Sequence, residues 1–166
     1  MEKKRDPRSP FPDAVEAAEV PLEISEVGMT HIDTIRRLNT EIFDDPSVIK
    51  TFERDDLLML LARVAETAVG FKVGYRLDDA TFYSAKGGVH SSHRRNGIAR
   101  ALLYAMLAIV KGRGYERFVY DTFPNKHPGM TVLGLNEGFD VVRAGYSPQY
   151  QDYRLRFEWT FDDAGG

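Results

Sequence analysis

The chain has 166 residues, of which 43% are hydrophobic and 28% charged, the balance of one soluble globular domain long enough to bury a core. Its net charge of −3 gives no global attraction for nucleic acid, so any anion site must be a local one. Cysteine is absent, which excludes disulfides, a thiol nucleophile and the usual structural zinc sites; no apolar run reaches the ~20 residues of a membrane-spanning helix, and a cytoplasmic protein is expected.

Residues 1–19 mix charge with Pro7, Pro10 and Pro12 and predict a flexible lead-in to a domain over 20–161. Leu22 to Val27 alternates apolar with polar, as a half-buried strand does, and Gly28 ends it. Thr30 and Asp33 can open a helix on which Ile32, Ile35, Leu38 and Ile42 share one face, and Asp45-Pro46 closes it. A second helix is expected from about Asp55 through Leu57 to Leu61, capped by Asp55 or Asp56. After Ala62 to Glu66 and a tight turn, Val69, Phe71, Val73, Tyr75 and Leu77 fall on one face of a strand. Asp78-Asp79 turns the chain into Ala80 to Val89, completing an antiparallel meander.

That meander runs into Gly87-Gly88-Val89-His90-Ser91-Ser92-His93-Arg94-Arg95-Asn96-Gly97-Ile98-Ala99-Arg100. A strand ends, a polar turn carries two adjacent arginines and a glycine, and an apolar helical pattern begins. The first turn of a helix leaves about four N–H groups without intrahelical partners, at the positive end of the peptide dipoles, and phosphates bind there. Gly97 and Ala99 keep the backbone approachable while Arg94, Arg95 and Arg100 add positive potential.

The helix carries Ile98, Leu102, Ala105 and Ile109 on one stripe and ends at Lys111-Gly112-Arg113-Gly114. Arg117 to Asp121 reads as a buried strand, parallel to the one before the helix. A short helix from about Met130 to Asn136 follows, then a strand over Phe139 to Tyr146 and a turn at Ser147-Pro148-Gln149. In the last strand Tyr153, Leu155, Phe157, Trp159 and Phe161 alternate with charged or polar residues, a pattern of core or of a homodimer surface. Residues 162–166 form a polar tail.

The spacing Arg94-x-x-Gly97-x-Ala99, set between strand and helix and followed by Asn125 and Gly138-Phe139, resembles the cofactor motif of the GNAT superfamily of acyl-CoA-dependent N-acyltransferases. The element order β-α-α-β-β-β-α-β-α-β-β is similar to that family's α/β fold from about residue 21 to 161: a mixed sheet of about seven strands flanked by about four helices. The resemblance implies that Arg94 and the backbone groups of Arg95, Asn96, Gly97, Ile98, Ala99 and Arg100 hold the pyrophosphate of acetyl-CoA. It also implies that Gly87, Gly88 and Val89 bind the pantetheine arm and that Asn125 contacts it. The implied reaction is transfer of the acetyl group to a primary amine, on a small molecule or a peptide, by direct attack in a ternary complex.

One feature departs from the family pattern. Many members place a tyrosine five residues before the phenylalanine of the Gly-Phe pair, as acid for the departing thiolate; here that position is Gly134. Tyr120, His127 and Tyr146 are candidates to replace it, or the thiolate leaves unassisted. For catalysis the cleft-facing candidates are Tyr120 and Asp121. Each also has a structural reading, Tyr120 as a core side chain with its hydroxyl satisfied and Asp121 as a cap of the following loop. No metal is expected, since His31, His90, His93 and His127 show no ligand spacing. The rival reading is a coenzyme A-binding sensor of the same fold without turnover.

Overall fold

A computed structural model describes residues 21–94 and 96–162; the lead-in expected over 1–19, Arg95 and the tail beyond Asp162 lie outside the described residues. The elements run β1 (Leu22–Val27), α1 (Ile32–Phe43), β2 (Leu58–Val64), β3 (Thr67–Arg76), β4 (Thr81–Val89), α2 (Ile98–Gly112), β5 (Arg117–Thr122), α3 (Pro128–Asn136), β6 (Asp140–Ser147) and β7 (Asp152–Thr160), with single 3₁₀ turns at Met29–His31 and Ser91–His93. The strands form one seven-stranded sheet in the order β1-β2-β3-β4-β5-β7-β6. Every neighbouring pair is antiparallel except β4–β5, which α2 joins as a parallel crossover.

The expected mixed sheet is present, with one correction. The stretch Asp55 to Leu61 is not a second helix: Leu58–Val64 is strand β2, paired with β1 and β3, and Asp56 stands in the left-handed region at φ 56° as part of the turn before it. The described residues therefore hold three α-helices. A continuous apolar run fits a helix or a strand buried on both faces equally well. Here the second applies, because Leu58 and Leu60 face α2 while Met59 and Leu61 face α1, all of them 2% exposed or less.

Two cores follow, one on each side of the sheet. Ile35 and Leu38 of α1 pack with Val48, Met59, Leu61, Phe71 and Val73. On the other side α2 buries Ile98, Leu102, Leu103, Met106 and Val110 against Leu58, Leu60, Phe82, Phe118 and Phe157. Each fully buried large apolar side chain contributes roughly 1.5–3 kcal/mol, so α2, the more deeply buried helix, is the element that fixes the strand-turn-helix junction in place. Pro128 opens α3 at a position where no intrahelical N–H is lost.

Candidate active site

β4 and β5 are paired only from Thr81↔Arg117 to Ser84↔Tyr120. Beyond that level β4 continues to Val89 against β3 alone, and β5 continues to Thr122 against β7 alone. The register of β3 and β4 slips at the same level, with Val73 opposite Lys86 but Gly74 opposite Ser84, so Ala85 is the extra residue of a bulge. A bulge bends its strand and increases its twist. The sheet is therefore split by a gap whose walls are Ala85 to Val89 on one side and Asp121-Thr122 on the other.

The gap leads to the start of α2. Gly97, the residue before the helix, stands at φ 75°, a left-handed conformation that favours glycine, and no side chain caps the helix start. Arg94 folds back so that Nε donates to the Val89 carbonyl at 3.3 Å. The turn is tied to α1 as well: His90 Nδ1 accepts from the Ser92 backbone N–H, and His90 Nε2 lies 3.8 Å from Glu41 Oε2. Arg100 is turned away from the junction, its Nε 2.6 Å from Glu137 Oε1, while Tyr104 bonds the other oxygen of the same carboxylate. Its main chain, with those of Ile98 and Ala99, forms the first turn of the helix.

Gly87 and Gly88 lie side by side on β4 and open opposite faces. A Cβ on Gly88 would stand 2.9 Å from Phe43 Cζ and 3.0 Å from Ile42 Cγ2, so the end of α1 rests directly on the strand there. His127, in the loop after β5, packs edge-on against Phe43 at 6.0 Å between centroids, which bridges the gap on the α1 face. Asn125 does not project freely: its Nδ2 donates to Asp152 Oδ1 at 3.0 Å. That bond, with the Tyr153 N–H, holds the Asp152 carboxyl below its usual pKa.

Tyr120 and Asp121, adjacent on β5, face opposite sides. Tyr120 is 3% exposed; its ring stacks on Phe157 at 5.2 Å, and its hydroxyl donates to the Met130 carbonyl at 2.9 Å. Burial pushes its pKa up, so the phenol keeps its proton. A Cβ at Gly134 would be 2.1 Å from the Tyr120 hydroxyl: the oxygen occupies the space that any side chain at Gly134 would need. Asp121 sits on the α1 face at the mouth of the gap. It accepts two hydrogen bonds from Arg156, 2.8 Å from Nε and 3.0 Å from the terminal nitrogen, and a third from the Tyr83 hydroxyl at 3.3 Å. The bond to Asp121 raises the Arg156 pKa, and burial, followed by the Asp121 charge, raises that of Tyr83.

Sequence reasoning passed over two side chains of this region. Arg156 reads as the polar partner in an alternating strand, yet it is the partner of Asp121. Lys72 reads as an outward residue of β3, yet it is 5% exposed, with burial lowering its pKa to about 8. The available signal was its setting, Gly70-Phe71-Lys72-Val73-Gly74, a lysine whose neighbours on its own face are both glycines. Among the described residues no group of three or more His, Asp or Glu side chains could hold a metal ion, and no helix is long and apolar enough to cross a membrane.

The sequence matches the model of the acetyltransferase (GNAT) family over residues 29–130; no curated protein matches it. Among solved structures, the fold is similar to that of the ribosomal-protein-S18-alanine N-acetyltransferase from Escherichia coli, with a TM-score of 0.74 at 15% identity over 87% of this chain and 96% of that one. An IAA acetyltransferase from Bacillus cereus gives 0.73 at 16% identity over 84% and 99%. A GNAT family acetyltransferase from Elizabethkingia anophelis with acetyl-CoA bound gives 0.64 at 14% identity over 84% and 98%. With the split sheet and the glycine-initiated helix in the matched segment, the chain belongs to the GNAT acetyltransferase family.

Proposed function

We propose that this protein transfers the acetyl group of acetyl-CoA to a primary amine by direct attack. The observation that carries the reading is the continuity of the site: the β4–β5 gap opens at the Ala85 bulge and ends at the uncapped, left-handed Gly97 start of α2. The donor brings an activated thioester. The main chain of Ile98, Ala99 and Arg100 is suited to hold its pyrophosphate, with Arg94 adding charge, and the edge of Gly87 to Val89 is suited to hold its arm. Asn125 acts through Asp152, fixing the loop after β5 to the start of β7. Excluding water from the gap strengthens the polar contacts made in it.

The acceptor enters on the α1 face of β5 and β7. There Asp121, held by Arg156 and Tyr83, fixes one wall and orients the incoming amine, and Tyr120 acts from the opposite face by holding α3 against β5. Arg154 shares the face of Arg156 one alternation nearer the open end of the gap, opposite Gly145, and Arg143 stands opposite Arg156. This local charge outweighs the acidic net charge of the chain and favours acceptors that carry an anionic group near the amine. Peptide amino termini with an acidic side chain in the first few residues are within this class; the structure of Arabidopsis thaliana NAA60 in complex with a bisubstrate analogue, at 14% identity and a TM-score of 0.67, shares the fold.

Isothermal titration with acetyl-CoA tests the reading. Wild-type protein should bind in the micromolar range, and Gly97→Glu, which adds a negative charge and a strained left-handed residue where the pyrophosphate would lie, should weaken binding by about 100-fold or more. Failure of the wild-type protein to bind would refute the proposal. A second reading, a coenzyme A-binding sensor without turnover, is favoured by Gly134 and the buried, engaged phenol of Tyr120. Binding of acetyl-CoA without thiol release on any amine would select it.

A further inference from the structure

Lys72 lies on the α2 face of β3 among apolar neighbours. Its partner on β2 is Leu60. Along its own strand, the space over Gly70 is filled by Leu102 and Val89 and that over Gly74 by the Phe82 ring. Its partner on β4 is Gly87, where a Cβ would stand 3.2 Å from Lys72 Cγ. The stem thus lies against the one cross-strand partner without a side chain, at a level of β4 where β5 no longer pairs. Among the described residues Lys72 has neither a hydrogen-bond nor an ion-pair partner, and burial is the sole cause that lowers its pKa to about 8.

An ammonium without a charge partner, on a residue only 5% exposed, is costly. Packing of the stem gives no return for that cost, since a methionine would fill the same space. Gly87, under the Lys72 stem, borders the gap where the thioester is proposed to lie, and the residue that commonly supplies a proton there is replaced by Gly134.

Resting on the acetyltransferase reading, we propose that Lys72 reaches over Gly87 into the β4–β5 gap and is the proton donor to the departing thiolate. As the acceptor nitrogen bonds to the acetyl carbon, the carbon–sulfur bond breaks with its electron pair moving to sulfur. The Nζ proton goes to that sulfur to give the free thiol, the acceptor nitrogen loses one proton to solvent, and the neutral Lys72 amine regains one from solvent. An ammonium poised close to the pKa of an ordinary thiol, near 8.5, is well matched to the task.

The test compares wild-type protein with Lys72→Met and Lys72→Arg, using hydroxylamine as a minimal acceptor. Both variants should bind acetyl-CoA within about threefold of wild type while kcat falls about 100-fold. With the acetyl thioester of 4-nitrothiophenol, whose thiolate leaves without a proton, the deficit should shrink to a few-fold. Independently of turnover, NMR titration of the Lys72 amine in the ligand-free protein should give a pKa near 8. Unchanged kcat in Lys72→Met, a deficit equal for both donors, or an ordinary lysine pKa would each overturn the proposal. Absence of acetyl-CoA binding by the wild-type protein would instead overturn the acetyltransferase reading on which it rests.

Discussion

Gly134→Ala is a substitution whose sign separates tertiary packing from local propensity. In an isolated helix it would stabilise by about 1 kcal/mol, because glycine is the poorer helix former. Here the new Cβ would stand 2.1 Å from the Tyr120 hydroxyl and 2.8 Å from Phe157 Cδ1, inside the 3.0 Å that real Cβ atoms keep. Tyr120 cannot yield freely, since its ring is stacked on Phe157 and its hydroxyl is bonded to Met130. Overpacking costs ~1–3 kcal/mol and an unmatched buried hydrogen-bonding pair a similar amount. Net of the propensity gain, the expected loss is about 3 kcal/mol. Urea denaturation should show the midpoint lowered by ~1–2 M with the slope unchanged. Adding Tyr120→Phe should recover part of the loss by removing the oxygen, while the Phe157 contact keeps the recovery incomplete. An unchanged or raised midpoint in Gly134→Ala would refute the reasoning.

Lys72→Met should stabilise the fold at neutral pH by up to about 3 kcal/mol, the cost of lowering the amine from 10.5 to about 8. The folded-state value lies below the unfolded one, so the penalty is complete below pH 8 and fades as pH rises toward 10.5; wild-type stability, measured by urea denaturation, should climb over that window and that of Lys72→Met should not. Asp121→Asn removes a charge from a doubly hydrogen-bonded pair and should cost roughly 2 kcal/mol in the same assay. Asp45, whose carboxyl is held below its usual pKa by the Ser47 N–H and by Lys86, contributes stability above its unfolded pKa that is lost as pH falls through the folded one. Asp45→Asn should therefore flatten part of the acid side of the stability profile.

The sequence by itself determined most of the strands and the junction between β4 and α2. Those features are local: alternation marks a strand with one buried face, and a glycine between a strand and an apolar periodic run marks a helix start. Leu22–Val27 and the helical run from Ile98 were legible for that reason. β2 was misread as a helix because Leu57 to Leu61 is apolar throughout, and only packing between α1 and α2 decides that both of its faces are buried. The partners of the site residues are likewise tertiary facts. Asp121 meets Arg156 across a β5–β7 register, Asn125 meets Asp152 from a later turn, and Tyr120 fills the space beside Gly134 from a different element. Lys72 shows the division most sharply. Its flanking glycines were written in the sequence, but the apolar walls around its stem exist only once β2, β4 and α2 have closed around it, because burial belongs to the assembled fold and not to any one segment.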